Sequence, residues 1–108
     1  MAQYLVQVSY TSEACAALVN NPQDRLAVVS KAVKKLGGKL INGWMCLGDF
    51  DTVVVITLPD NVAAAAFSIA LGAGGACKNV KTTSLLSIEE GIEAMKAAGS
   101  AGYKPPTA

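Results

Sequence analysis

The 108-residue chain contains no histidine, and aromatic residues make up only 6% of it. Without imidazole it lacks the commonest metal ligand, the usual haem ligand and the side chain best suited to proton transfer near neutral pH. Cysteine is sparse. Cys15, Cys46 and Cys77 stand far apart and none belongs to a C-x-x-C pair. An odd, scattered set of thiols argues against a disulfide framework and suits a reducing compartment. Charge is also scarce: 16% of residues are charged, nine Lys and Arg against eight Asp and Glu, for a net +1. That balance leaves no basic footprint for nucleic acid or an anionic lipid surface. Apolar runs fall short of the roughly 20 residues that cross a bilayer. The start, Met1, Ala2, Gln3, leads straight into a strand pattern without a basic-then-apolar leader. The expectation is a soluble, unexported, cytoplasmic protein with no cofactor, no nucleic-acid partner and no membrane partner.

What the chain does have is apolar surface, at 52% of residues. This length supports one hydrophobic core and not two. The expected layout is a domain over residues 1–98 and an extended tail over 99–108, where SAGYKPPTA follows Gly99 without periodicity.

Along the chain, Tyr4, Val6, Val8 and Tyr10 alternate with Leu5, Gln7 and Ser9, which predicts a strand over 3–11. Thr11 or Ser12 can cap a short helical turn through Val19. Asn21 followed by Pro22 has the pattern of an N-cap with proline at the first helical position. Leu26, Val29, Val33 and Leu36 then recur at helical spacing, and Gly37 with Gly38 stops the helix. Lys39 to Leu47 reads as a second strand that puts Leu40, Asn42, Trp44 and Cys46 on one side. After a tight turn at Gly48 and Asp49, Thr52 to Leu58 forms a third strand that is apolar on both faces, a pattern of double coverage. Asp60 caps a helix from Asn61 to about Ala73, with Val62, Ala66, Ile69 and Ala73 as its expected buried stripe. Residues 78–86 predict a fourth strand, and Ser87 with Glu90 forms a capping box for a last helix carrying Ile88, Ile92 and Met95.

The order is βαββαβ with a C-terminal helix, an α+β ferredoxin-like arrangement around a four-stranded antiparallel sheet. Its helices cover one face and leave the other bare. Burying a Val, Leu or Ile is worth about 1.5–3 kcal/mol, so four or five such side chains left exposed forfeit roughly 10 kcal/mol, comparable to a domain's net stability. A homodimer or larger homo-oligomer with paired sheets is the expected remedy.

Five segments, YLVQVSYT, LAVVSKAVKKLGGKL, LGDFDTVVVITLPD, AAAAFSIALGAGG and NVKTTSLLS, resemble in that order the GYD domain family over roughly residues 3–96. The resemblance implies a dimeric α+β barrel and carries no established activity. The eponymous segment corresponds to Gly48, Asp49, Phe50 and Asp51, with Phe50 where the family commonly has a tyrosine, so a phenol hydroxyl is missing there.

Two sets of candidate site residues follow. Asp49 and Asp51 flank Phe50, and in extended backbone their carboxylates project to one side, where a close pair can serve as acid and base; ordinary turn chemistry explains the same residues. Tyr4, Tyr10, Trp44, Cys46 and Phe50 can line a pocket for a small apolar or aromatic ligand, or can simply be core. Gly72, Gly74 and Gly75 close a helix instead of opening one, which excludes a phosphate loop. The leading functional expectation is a homo-oligomeric small-ligand-binding or assembly module. The alternative is a cofactor-free isomerase or oxygenase using Asp49 or Asp51 as base.

Overall fold

The computed structural model describes residues 1–107; the last residue of the tail, Ala108, lies outside them. The chain runs β1 (Ala2–Tyr10), α1 (Ser12–Asn20), α2 (Leu26–Lys35), β2 (Lys39–Met45), β3 (Thr52–Leu58), α3 (Asn61–Ala73), β4 (Cys77–Leu85) and α4 (Ile88–Gly99). The strands form one antiparallel sheet in the order β2-β3-β1-β4. The expected α+β ferredoxin-like fold is therefore the fold observed.

Alternation along the two central strands builds the core. Tyr4, Val6 and Val8 of β1 and Val54, Ile56 and Leu58 of β3 share one face and are buried against Val33 of α2 and Ala64 and Phe67 of α3. No helix among the described residues is long and apolar enough to cross a membrane.

Helix ends follow their local chemistry. Thr11 caps α1 by accepting a hydrogen bond from Ala14 N. Helix α2 ends in a Schellman motif: Gly37 takes φ 88°, Gly38 N donates to Val33 O and Gly37 N to Lys34 O. Asp60 caps α3, and Ser87 with Glu90 completes the capping box of α4.

Three sequence expectations are corrected. Asn21 does not start a helix; it closes α1, its N–H donating to Ala17 O, and α2 begins only at Leu26, whose N–H is taken by Asp24 Oδ1 at 2.8 Å. An aspartate two residues before the first orphan N–H outcompetes the Asn-Pro signal. Strand β2 stops at Met45, so Cys46 lies beyond it, and its register shifts between Leu40 and Asn42. That irregularity reverses the alternation: Leu40 pairs with Ile56 on the helix-covered face, whereas Asn42 and Trp44 pair with Val55 and Val53 on the other. In α3, Val62 and Ile69 are exposed, and the buried face carries Ala64 and Phe67. Phenylalanine offers the largest area on that helix and turns it toward the sheet.

The second sheet face is not roofed by its own chain. Leu5, Val53 and Val55 form its half-buried apolar centre, with Gln3, Gln7, Asn42, Lys81 and Thr83 around them. The C-terminal segment does not fold back over it. Helix α4 buries none of its residues, and residues 100–107 are exposed and without regular structure. The radius of gyration is 17.3 Å, against about 13 Å for a compact 100-residue domain.

Candidate functional site

The site lies between the covered sheet face and the helices, at the end of the sheet where α1, α2 and α3 converge. Small side chains open it. Helix α1 contributes Ala14 and Ala17, and α3 contributes Ala70 and Gly74, so the helices do not fill the space above Val6, Val8 and Val54. A cavity of about 390 Å³ results. A second hollow of about 300 Å³ adjoins it, running from the Pro22–Leu26 connection to Gly43, Trp44 and Met45 of β2. Tyr10, Leu18, Gln23, Arg25, Leu26 and Thr52 border both.

Glycine 43 sets the spacing at this edge. A Cβ there would lie 2.7 Å from Leu26 Cδ2 and 2.9 Å from Val54 Cγ1, both below contact distance, so only glycine lets α2 close on β2.

Polar groups gather at the junction of the two hollows. Tyr10 Oη and Thr52 Oγ1 share a hydrogen bond of 3.0 Å. Arg25 Nη1 donates to Gln23 Oε1 at 3.1 Å, and Gln23 Nε2 donates to Asn21 O at 3.2 Å, which stiffens the connection. Across the cavity, burial pushes the Cys77 thiol up, and the Arg25 guanidinium pulls it partly back. A mostly apolar enclosure with a few convergent polar groups has the form of a small-molecule site.

Of the residues singled out in the sequence, Tyr10 borders both hollows, and Trp44, on the opposite sheet face, meets only the rim of the smaller one. Tyr4 belongs to the core, its hydroxyl donating to Asn61 Oδ1 at 2.8 Å. Cys46, Asp49, Phe50 and Asp51 form the β2–β3 connection and border neither hollow, although the connection leads into Thr52, which borders both. There, Asp51 Oδ2 accepts from Tyr10 N at 2.8 Å, Asp51 N donates to Val8 O, and its carbonyl accepts from Cys46 N. These bonds hold the end of β1 where its pairing with β4 shifts between Ser9 and Tyr10. Ser9 Oγ donates to the carbonyl of the exposed Asp49 at 2.6 Å, and Cys46 Sγ to that of Phe50 at 3.2 Å. Asp51 therefore touches the backbone of Tyr10 without lining either hollow, and Asp49 lines neither. Among the described residues no three of His, Cys, Asp and Glu cluster as a metal site.

Gln23 and Arg25 were not singled out from the sequence. The signal available for them was a cation and an amide in a short polar connection between two helices.

Comparison with known proteins places the fold in a family. The GYD domain model matches residues 4–95, nearly the whole chain. The chain belongs to the GYD domain family. In this GYD domain the β2–β3 connection just described secures β1 through Asp51. Among solved structures the chain is similar to the crystal structure of MtbAldR, with a TM-score of 0.56 and 14% identity over 80% of this chain. It spans about half of that longer protein, 52%, and the likeness is one of fold. No curated protein matches the chain.

Proposed function

We propose that this GYD domain is a homo-oligomeric module that holds a small, mostly apolar ligand between its sheet and helices. The observation that carries this reading is the cavity of about 390 Å³, walled by Val6, Val54, Phe67 and Leu71 and edged with polar groups at one end only. That volume falls in the usual range for small-molecule sites. No reaction is assigned to it, since neither aspartate of the β2–β3 connection lines the cavity.

A second copy is the proposed cover for the bare sheet face. Leu5, Val53 and Val55 at its centre, Trp44 at its edge and the unburied Ile88, Ile92 and Met95 on α4 are the apolar surfaces that favour it. Their combined exposure costs several kcal/mol that association recovers. A reducing, cytoplasmic setting agrees with three unpaired cysteines, one of them exposed.

Native mass spectrometry of the protein purified from its source tests both parts. The expected result is a dimer or larger multiple carrying a retained small molecule. A monomer at micromolar concentration refutes the oligomer. An unliganded spectrum, together with no change in Trp44 fluorescence on adding small aromatic compounds, refutes the ligand site.

A further inference from the structure

We infer that the ligand is a small apolar or aromatic acid, seated with its hydrocarbon body in the larger cavity and its single negative charge on Arg25. This rests on the reading of that cavity as a ligand site. Among the described residues, Arg25 is the only charged one bordering the larger cavity, and it also borders the smaller one, so a ligand entering by either route meets it. Its Nη1 donates to a neutral acceptor, Gln23 Oε1, which orients the guanidinium without neutralising it. A guanidinium carries five donors in a planar fork suited to two carboxylate or sulfonate oxygens, so donors are left for a ligand.

The carboxylate nearest in sequence does not compete. Asp24 borders the smaller hollow and accepts from Leu26 N at 2.8 Å, which ties it to the start of α2. Its charge also disfavours a ligand with two negative groups. Arg25 acts across the cavity as well, since its charge is felt by the Cys77 thiol on β4. Beyond the charge, Val6, Val54, Phe67 and Leu71 offer only apolar contact, and the Tyr10 and Thr52 hydroxyls offer one further polar anchor. An apolar body with one anionic end matches each wall of this space.

Two fluorescent probes with one aromatic skeleton separate the charge from the cavity: 1-anilinonaphthalene-8-sulfonate, an anion, and N-phenyl-1-naphthylamine, its neutral counterpart. Each is titrated into the full-length protein and into Arg25→Met, Arg25→Lys, Ala70→Phe and Ala14→Phe, with thermal melts to verify folding. The wild type is expected to bind the sulfonate roughly tenfold or more tightly than the neutral probe, as a charge-assisted hydrogen bond provides. Arg25→Met should remove that preference while leaving the neutral probe unchanged, and Arg25→Lys should keep part of it. Either cavity-filling variant should weaken both probes. Equal binding of the two probes by the wild type, or indifference of the sulfonate to Arg25→Met, overturns the anion proposal while the cavity reading stands if Ala70→Phe or Ala14→Phe still displaces the neutral probe. Indifference of both probes to both filling variants overturns the cavity reading and the proposal together.

Discussion

Helices α3 and α4 have nearly the same length, 13 and 12 residues, and each opens with a side-chain cap. By local criteria α4 is the better helix. It has a reciprocal capping box, Glu89 and Glu90 in its first turn and Lys96 in its last, whereas α3 has no acidic residue at its start and no basic residue at its end. Their tertiary circumstances are reversed. Helix α3 seats Ala64 and Phe67 in the core, and α4 buries nothing, with Ile88, Ile92 and Met95 facing out. Caps and end charges settle that a helix forms, through bonds within four residues. Where it docks depends on whether the rest of the protomer offers a complementary surface, and for α4 the single protomer offers none.

The contrast can be broken most forcefully at Phe67. Phe67→Ala is expected to remove about 3–5 kcal/mol of stability in urea unfolding, because the buried ring that joins α3 to the sheet is lost. A loss below about 1 kcal/mol would mean that α3 is no more anchored than α4. Next in size, replacing Ile88, Ile92 and Met95 together by serine should weaken self-association at least a hundredfold, about 3 kcal/mol, as read by light scattering across a dilution series. The same replacement should shift the stability of the dilute protomer little, since these side chains are exposed there. An unchanged mass would show that α4 takes no part in the assembly.

A smaller effect is expected at the cap. Ser87→Ala should cost α4 about 1 kcal/mol and speed amide exchange in its first turn, with α3 unaffected. The smallest is a pH effect. The hydrogen bond from Ser87 N to Glu90 Oε1 holds the Glu90 carboxyl below its ordinary range. A folded value below the unfolded one means that the contribution is present above the ordinary glutamate range and is lost as pH falls through the folded value. Fraying of α4 on acidification below the ordinary glutamate range, absent in Glu90→Gln, is the expected exchange pattern. Equal acid sensitivity in that variant would remove Glu90 from the cap.

Much of the fold was legible because its signals are local. The strand alternation of β1 and β3, the Gly37–Gly38 stop, the Asp60 cap and the Ser87–Glu90 box each involve residues at most a few positions apart. The errors are of another kind. The stripe Val62, Ala66, Ile69 and Ala73 is not the buried face of α3, which carries Ala64 and Phe67, because an alanine-rich helix has weak amphipathicity and one aromatic side chain decides its rotation. The phase of β2 reversed at Ile41, where the ladder shifts, which parted Leu40 from Trp44. Of the candidate site, Tyr10 and Trp44 were legible as aromatic strand residues. Arg25 and Gln23 were not, because their importance comes from the strands they face.

The residues by themselves determined the element order, most of the helix ends, the nearly neutral, histidine-free chemistry and the excess of apolar residues, each a matter of composition or of bonds between near neighbours. The tertiary structure alone decided the rest: that Asp51 fastens β1, that small side chains from α1 and α3 open a cavity over the sheet, and that Arg25 stands at its mouth. Those outcomes depend on residues tens of positions apart meeting at fixed distances. Packing among distant elements sets such distances, and no local pattern encodes them.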